Sequence, residues 1–390
     1  MNLNYTGLGI VRNLAAHREF RIAGLTPENN FACRSRYVDE IRILSPEINE
    51  SETLAWLLQK GKEQEEKAFI FPTSESDIEF LIKHEFPLSC YYTLSIPDKI
   101  IAERILNKYE FYRFLVNNGI DTPETHLIES TNSFERLSRD FPFPCVLKPV
   151  FSGDWKTQKA SAHVGSQKAM VARNINEAQE IYQKLSVVSK SMILQRIIDS
   201  EDADTYSFCC YADNDGNSLW GMVAQKLLQY PPGFGTAVLS KCVSCPEIYD
   251  MGERLVRTIG VNGILEVEII RERNTGRLFV IEINTRHWQQ HIIATRRGLN
   301  LSLLDFYYRI GNRAKAQELI DDFEANSKNK LTQLTWIDDV SYLFHVFKKR
   351  MNANACHFDQ IDPKQVVFSV FRLADPIPFI ALLKEKICGH

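Results

Sequence analysis

The chain has 390 residues, 44% of them hydrophobic and 24% charged, with a formal net charge of −3. That length exceeds one typical core and points to two or three domains. The near-neutral balance, with no basic stripe, excludes an electrostatic nucleic-acid binder, and no apolar run approaches the ~20 residues of a membrane span.

The opening Met1-Asn2-Leu3-Asn4-Tyr5 lacks both the charged and the apolar segment of a secretory signal. Nine cysteines, an odd number scattered over the whole length, read as reduced thiols in a cytoplasm. Cys242 and Cys245 have metal-ligand spacing but no second pair to complete a structural zinc site, and Cys209 and Cys210 read as core thiols.

Up to about residue 100 short apolar runs alternate with helix-like stretches: a strand over 20–25, a helix over 52–60 and a strand over 68–71 entering Pro72-Thr73-Ser74. This predicts a small α/β domain with a parallel sheet. Gly7-Leu8-Gly9-Ile10-Val11-Arg12-Asn13 invites comparison with a dinucleotide loop, but Arg12 stands where the third glycine belongs. A tight strand-to-helix turn is the expected structure there. Between Asp98 and Gly119 the apolar spacing becomes helical, closed by Gly119 and barred from resuming by Pro123. A second α/β pattern follows, with strands over 143–150 and 191–198 around a helix over 175–185. Paired strands over 205–211 and 218–228 flank the turn Asp213-Asn214-Asp215-Gly216. A helix over 248–259, an acidic hairpin and a mostly helical stretch over 312–330 precede a mixed tail.

In the hairpin, strands 263–270 and 278–286 flank Asn274-Thr275-Gly276. A three-residue loop centred on Thr275 pairs Arg273 with Arg277, and the same register sets Glu268 opposite Glu282. Period-two alternation puts Glu282, Asn284 and Arg286 on one face. Two carboxylates directly across a strand pair repel, by about 3 kcal/mol at ~5 Å and an effective dielectric of ~20. A divalent cation reverses that sign, because Glu268, Glu282 and the Asn284 amide are hard oxygen ligands suited to Mg²⁺. The residue types alone equally allow a solvated charged face with Arg271 or Arg273 as neighbours, and a one-residue slip would part the glutamates.

Lys148, inside the apolar strand Pro144-Cys145-Val146-Leu147-Lys148-Pro149-Val150, needs an anion, either a phosphate or a structural carboxylate. Lys226, in Met222-Val223-Ala224-Gln225-Lys226, poses the same question. Between them a polar loop runs from Ser152 to Lys168, long enough for a lid over a ligand or for a plain surface loop. No Walker-type loop and no protein-kinase motif set occurs. His126 and His163 have no metal spacing and read as surface residues.

These pieces, in this order, resemble the ATP-grasp superfamily, and in particular the D-aspartate-ligase-like ATP-dependent carboligases, from about residue 7 to 380. Glu282-Ile283-Asn284-Thr285-Arg286-His287-Trp288 is similar to that family's Glu-Ile-Asn-(Pro/Thr)-Arg-x-Trp motif. Asn107-Lys108 with Leu115, Gly119-Ile120 and Pro123 resembles its opening lysine helix, and Val146-Leu147-Lys148-Pro149 its second lysine strand. Lys226 with Tyr230-Pro231-Pro232 and Gly235-Thr236 resembles its proline-containing segment. The resemblance implies an ATP-grasp fold, α/β with α+β parts, preceded by a small Rossmann-like domain. Its divisions would be residues 1–100, an ATP-grasp domain over 101–312 (lysine strand and lid 143–230, metal hairpin 260–290) and an extension over 313–390 packed on the ATP-grasp core.

It also implies that Lys108 and Lys148 contact the α and β phosphates of ATP, with Lys168 at the end of the lid as a further nucleotide contact. Lys226 would face the transferring phosphoryl group and Arg286 the acyl phosphate oxygens. Glu268, Glu282 and Asn284 would hold magnesium, two ions, with Mn²⁺ as the alternative metal. Gln195, Arg196, Ile197 and Ile198 would line the adenine edge, and Glu201, Asp202 and Asp204 compete for the ribose. Two departures stand out: Arg196 where relatives carry glutamate, and Asp199-Ser200 in place of Pro-Gly. The expected activity is carboxylate–amine ligation through an acyl phosphate on small-molecule substrates, in the cytoplasm, without nucleic acid or membrane, and with room for a homodimer. The rivals are a kinase on the same fold, a nucleotide-binding module without turnover, and a nicotinamide-dependent oxidoreductase built on Gly7 and Gly9.

Overall fold

The computed structural model describes residues 1–17, 19–137, 141–155, 158–165, 167–230, 233, 235–327, 333–349, 351–352 and 356–388. The chain divides into two compact units: Asp98–Tyr206 with Val267–Ile283, and Met1–Pro97 with Ser207–Glu266 and Asn284–His390.

The smaller unit is built on a four-stranded sheet in the order Thr125–Ile128, Met192–Arg196, Cys145–Pro149, Met170–Ala172, all neighbours antiparallel. Helix Ile175–Leu185, capped by the Asn174 side chain on the Glu177 amide, buries Ala178, Tyr182 and Leu185. They join Phe134, Leu147, Trp155, Met192 and Leu194 in one apolar cluster. The helical stretch expected over 98–119 forms two helices, Lys99–Leu106 and Lys108–Asn117. They break at Asn107, which leaves the helical region and caps the second through the Glu110 amide. Gly119 closes it with φ +64°, a conformation glycine adopts without strain. The expected lid is more ordered than a loop. It holds a 3₁₀ turn, Ser152–Trp155, and a helix, Gln158–Val164, and Trp155 and Val164 are buried in the same cluster. Lys156, Thr157 and Ser166 of that segment lie outside the described residues.

The larger unit carries two short parallel pairs, Ala23–Thr26 with Glu40–Ile43 and Ala68–Ile70 with Tyr92–Leu94. The first starts three residues later than the apolar run suggested. A seven-stranded sheet runs in the order Leu278–Asn284, Gly263–Arg271, Thr205–Ala212, Ser218–Tyr230, Thr236–Val243, Thr335–Ile337, Val366–Phe368. Its first two strands are divided between the units. The glycine pair does not form a strand-to-helix turn: Tyr5–Ala15 is one helix, with residues 6–14 buried. Gly9 permits this, because a Cβ there would stand 2.5 Å from His291 Cε1. Arg12, deep in this unit, is matched by Asp375 at 3.0 Å. Helix Ile377–Cys388 adds Leu382 to a cluster with Leu3, Leu8, Val11, Phe31 and Val370. All nine cysteines are free, Cys209, Cys210 and Cys242 buried among them. Among the described residues no helix is long and apolar enough to cross a membrane.

Candidate functional site

In the smaller unit, Lys108 opens its helix, where a cation works against the helix dipole and an anion would be favoured. Its amide donates to the Val150 carbonyl at 3.1 Å, tying the helix start to the end of the lysine strand. Its Nζ lies 3.4 Å from Glu282 Oε1. Lys148 faces Ile193 on the central strand and has Gln195 as its diagonal neighbour on the same face. Nζ donates to Gln195 Oε1 at 3.0 Å, and Gln195 Nε2 donates to Thr125 Oγ1 at 2.9 Å. Burial lowers the Lys148 pKa to about 8; the charges of Glu282 and Glu268 pull it back up, while Lys108 and Lys168 add to the lowering. The structure therefore brings Lys108, Lys148, Glu268 and Glu282 into one electrostatic group. Lys168, though exposed, reaches it by charge. Tyr112 belongs here too and was not singled out from the sequence. Its hydroxyl donates to the Ile281 carbonyl at 2.6 Å, and burial pushes its pKa up to about 12.

The hairpin turn differs from the expected one. Glu272 N–H donates to the Arg277 carbonyl at 2.8 Å, so Glu272 rather than Arg273 pairs with Arg277. The reason is tertiary: the Arg273 amide donates to the Asp199 carbonyl at 3.0 Å, and its guanidinium holds Glu201 at 2.7 Å and Asp204 at 3.4 Å. A register run unbroken from Glu272–Arg277 would set Glu282 across from Val267, not Glu268. Both carboxylates nonetheless act on Lys148 and on Tyr112.

Arg196, at the end of strand Met192–Arg196 that is expected to form the hinge along the adenine edge, turns to the buried carboxylate of Glu272 and lies over the Phe279 ring, 5.6 Å from its centroid. Gln195 spends its side chain on Lys148 and Thr125, so any contact of these two residues with an adenine would be through backbone. Ile198 is buried and Ile197 half-buried.

In the larger unit, Lys226 is buried on strand Ser218–Tyr230 opposite Ser240, where the ladder with Thr236–Val243 shifts register between Lys226 and Leu228. Bulges of this kind re-aim side chains beside functional sites. Pro231 and Pro232 of the associated motif lie outside the described residues. Asn284 Oδ1 accepts from Arg286 Nη2 at 3.0 Å, and Asn284 Nδ2 donates to Glu266 Oε2 at 3.1 Å. Arg286 Nη1 donates to the His287 carbonyl at 3.1 Å, while its Nε is buried with no partner among the described residues. His287, beside it, is held well below the usual imidazole range by burial, with His291 and Arg286 adding to the effect. Glu266 also escaped the sequence reading. The signal was there: period-two spacing sets it on the same strand face as Glu268.

The donor set Glu268, Glu282 and Asn284 is all hard oxygen, the chemistry Mg²⁺ prefers. Among the described residues no three His, Cys, Asp or Glu side chains form a metal cage of their own. Within the smaller unit, the Glu268 and Glu282 carboxylates suit an ion that completes its shell from phosphate oxygens.

Residues 105–288 match the family model of the ATP-grasp domain. In sequence it is similar to the D-aspartate ligase of Enterococcus faecium, at 22% identity over 262 residues. That match covers 65% of this chain but 62% of the ligase, less than two thirds of its length. In fold it is similar to the L-amino acid ligase from Bacillus licheniformis, with a TM-score of 0.58 and 16% identity over 78% of this chain and 71% of that one. It is also similar to the biotin carboxylase domain of the Hydrogenobacter thermophilus 2-oxoglutarate carboxylase, solved with MgADP, ADP and bicarbonate. There the TM-score is 0.60 and the identity 16%, over 80% and 68% of the two chains. The α/β ATP-grasp fold expected from the motifs is thus the fold found.

Proposed function

We propose that the chain is an ATP-dependent carboxylate–amine ligase acting on small molecules. The observation that carries the reading is the Lys108–Glu282 contact at 3.4 Å beside Lys148, a group of two ammonium and two carboxylate charges with Glu268. That group is neutral in itself. Each member can exchange its protein partner for an opposite charge on MgATP, lysines for phosphate oxygens and glutamates for the cation, so binding leaves no buried charge unpaired. The similarity to D-aspartate ligase supports the direction of the chemistry.

In this reading Lys108 and Lys148 hold the α and β phosphates, Lys226 faces the transferring phosphoryl group, and Glu268, Glu282 and Asn284 hold Mg²⁺. When bound, the metal offsets the charge on the phosphoryl oxygens. A carboxylate oxygen of the substrate attacks the γ-phosphorus and ADP leaves. Arg286, whose Nε has no partner among the described residues, takes the oxygens of the acyl phosphate. The amine nitrogen then attacks the acyl carbon, phosphate leaves with the bonding pair, and the nitrogen gives up a proton to yield the amide. Positioning and fixed positive charge are what the protein supplies to both steps.

The test is ADP release from MgATP across a matrix of carboxylates and amines, with Glu282→Gln as the control. Release that needs both substrates in wild type and disappears in the variant, with thermal unfolding unchanged, supports the ligase. A stable phosphorylated carboxylate formed without any amine makes the chain a kinase. Background release across the whole matrix refutes turnover.

A further inference from the structure

We infer that Glu266 is a positioning residue for the metal-binding amide, acting through a directional hydrogen-bond relay from Ser207 to Arg286. Ser207 Oγ donates to Glu266 Oε1 at 3.0 Å, and Asn284 Nδ2 donates to Glu266 Oε2 at 3.1 Å. Arg286 Nη2 donates to Asn284 Oδ1 at 3.0 Å. Glu266 is 5% exposed, Ser207 4% and Asn284 7%. All four residues lie in the larger unit.

The relay has one direction because its ends allow no other. An ionised carboxylate only accepts and a guanidinium only donates, so the amide between them must turn its nitrogen to Glu266 and its oxygen to Arg286. Without that constraint the two ends of a buried amide are nearly interchangeable in shape, and half of the orientations present NH₂ where a cation needs oxygen. Glu266 removes that freedom before any ligand arrives. Outer-shell partners of this kind fix ligand orientation, and their loss typically weakens metal binding ~10- to 100-fold.

The inference rests on the ATP-grasp reading of Asn284 and is tested apart from turnover. Mn²⁺ binding to the protein in the presence of ADP is followed by electron paramagnetic resonance, with ADP binding in EDTA and thermal unfolding measured alongside. Glu266→Gln keeps the shape but can donate to Asn284, so the amide can invert. The expected result is about tenfold weaker Mn²⁺ binding, with metal-free ADP binding and the unfolding midpoint close to wild type. Ser207→Ala, which loosens only the far end of the relay, should show the same pattern more weakly. The double variant Glu266→Gln/Asn284→Asp, in which the glutamine amide donates to an aspartate, should recover most of the affinity. Unchanged Mn²⁺ affinity in Glu266→Gln, while Glu282→Gln lowers it, overturns the role of Glu266 and leaves the ligase reading standing. No Mn²⁺ binding by the wild type with ADP overturns both.

Discussion

Lys148 Nζ is held 3.0 Å from Gln195 Oε1, so the ammonium on the lysine strand is aimed by a neutral amide and not by a direct carboxylate contact. Glu282 and Glu268 act on it from further away, and they do not fully offset the burial that brings its pKa to about 8. A lysine in that condition is a poor structural ion pair and a good receptor for phosphate.

The pH dependence follows with a definite sign. Free lysine titrates near 10.5, so between about 8 and 10.5 the unfolded chain holds a proton that the folded chain has released. Stability rises with pH wherever the unfolded state binds more protons. The strain from charged Lys148 is therefore present below pH 8 and fades as pH rises through that window. Lys148→Met should raise the unfolding midpoint of the nucleotide-free protein at pH 7, and the gain should shrink by pH 10. A gain independent of pH would refute the cause.

Nucleotide binding should move the other way. Phosphate favours the protonated lysine, so the wild-type ATP affinity is expected to fall as pH passes 8, approaching about tenfold per pH unit. Lys148→Arg, which cannot lose its charge in this range, should flatten that slope. Titration calorimetry at pH 7, 8 and 9 measures it.

The strands around the site were legible because their apolar runs are bounded by turn residues: Met192–Arg196 and Thr205–Ala212 fall close to where the sequence puts them. Helix Ile175–Leu185 was legible from its period and its Asn174 cap. The hairpin was legible as a hairpin, but the residue that closes its turn was not. The choice of Glu272 over Arg273 as the closing residue is made by Asp199, Glu201 and Asp204, some 70 residues away. Glu266 was missed for the same kind of reason: its partners Ser207 and Asn284 are 59 and 18 residues distant. Lys108, Lys148, Glu268 and Glu282 could be nominated from local pattern and motif. That Lys148 is oriented by Gln195 could not, since it depends on which strand lies next to which.

Gly9 is where a propensity argument gives the wrong sign. Alanine is favoured over glycine by about 1 kcal/mol inside a helix, and Gly9 sits within Tyr5–Ala15. Its missing Cβ, however, would meet His291 Cε1 at 2.5 Å and both His291 Nε2 and Ile292 Cγ2 at 2.9 Å. Gly9→Ala is expected to destabilise by about 1–3 kcal/mol through overpacking. Chemical denaturation that finds the variant more stable would show that His291 can move aside.

The Arg12–Asp375 pair yields a larger effect. Asp375 Oδ2 accepts from Arg12 Nε at 3.0 Å and from Ser35 Oγ at 2.7 Å, and Arg12 also donates to the Val370 and Asp375 carbonyls. With the side chains 6% and 1% exposed, removing one partner strands a buried charge. Asp375→Ala should cost about 3–5 kcal/mol, and Arg12→Met/Asp375→Leu should cost clearly less than either single change. Additive losses in the double variant would mean the two residues act separately.

Arg196 and Glu272 make a similar case in the smaller unit. Glu272 is buried, accepts from Thr275 Oγ1 at 2.5 Å and pairs with Arg196, while Arg277 also lies over the Phe279 ring, 5.1 Å from its centroid. The hinge arginine thus secures the hairpin turn. Restoring the glutamate that the resemblance leads one to expect, Arg196→Glu, puts two carboxylates together and should destabilise by about 1–3 kcal/mol, with weaker ATP binding as the turn loosens. The swap Arg196→Glu/Glu272→Arg restores opposite charges and should recover much of the stability. If Arg196→Glu alone leaves both the unfolding midpoint and the ATP affinity at wild-type values, the pair is incidental and the hinge is held by its backbone alone.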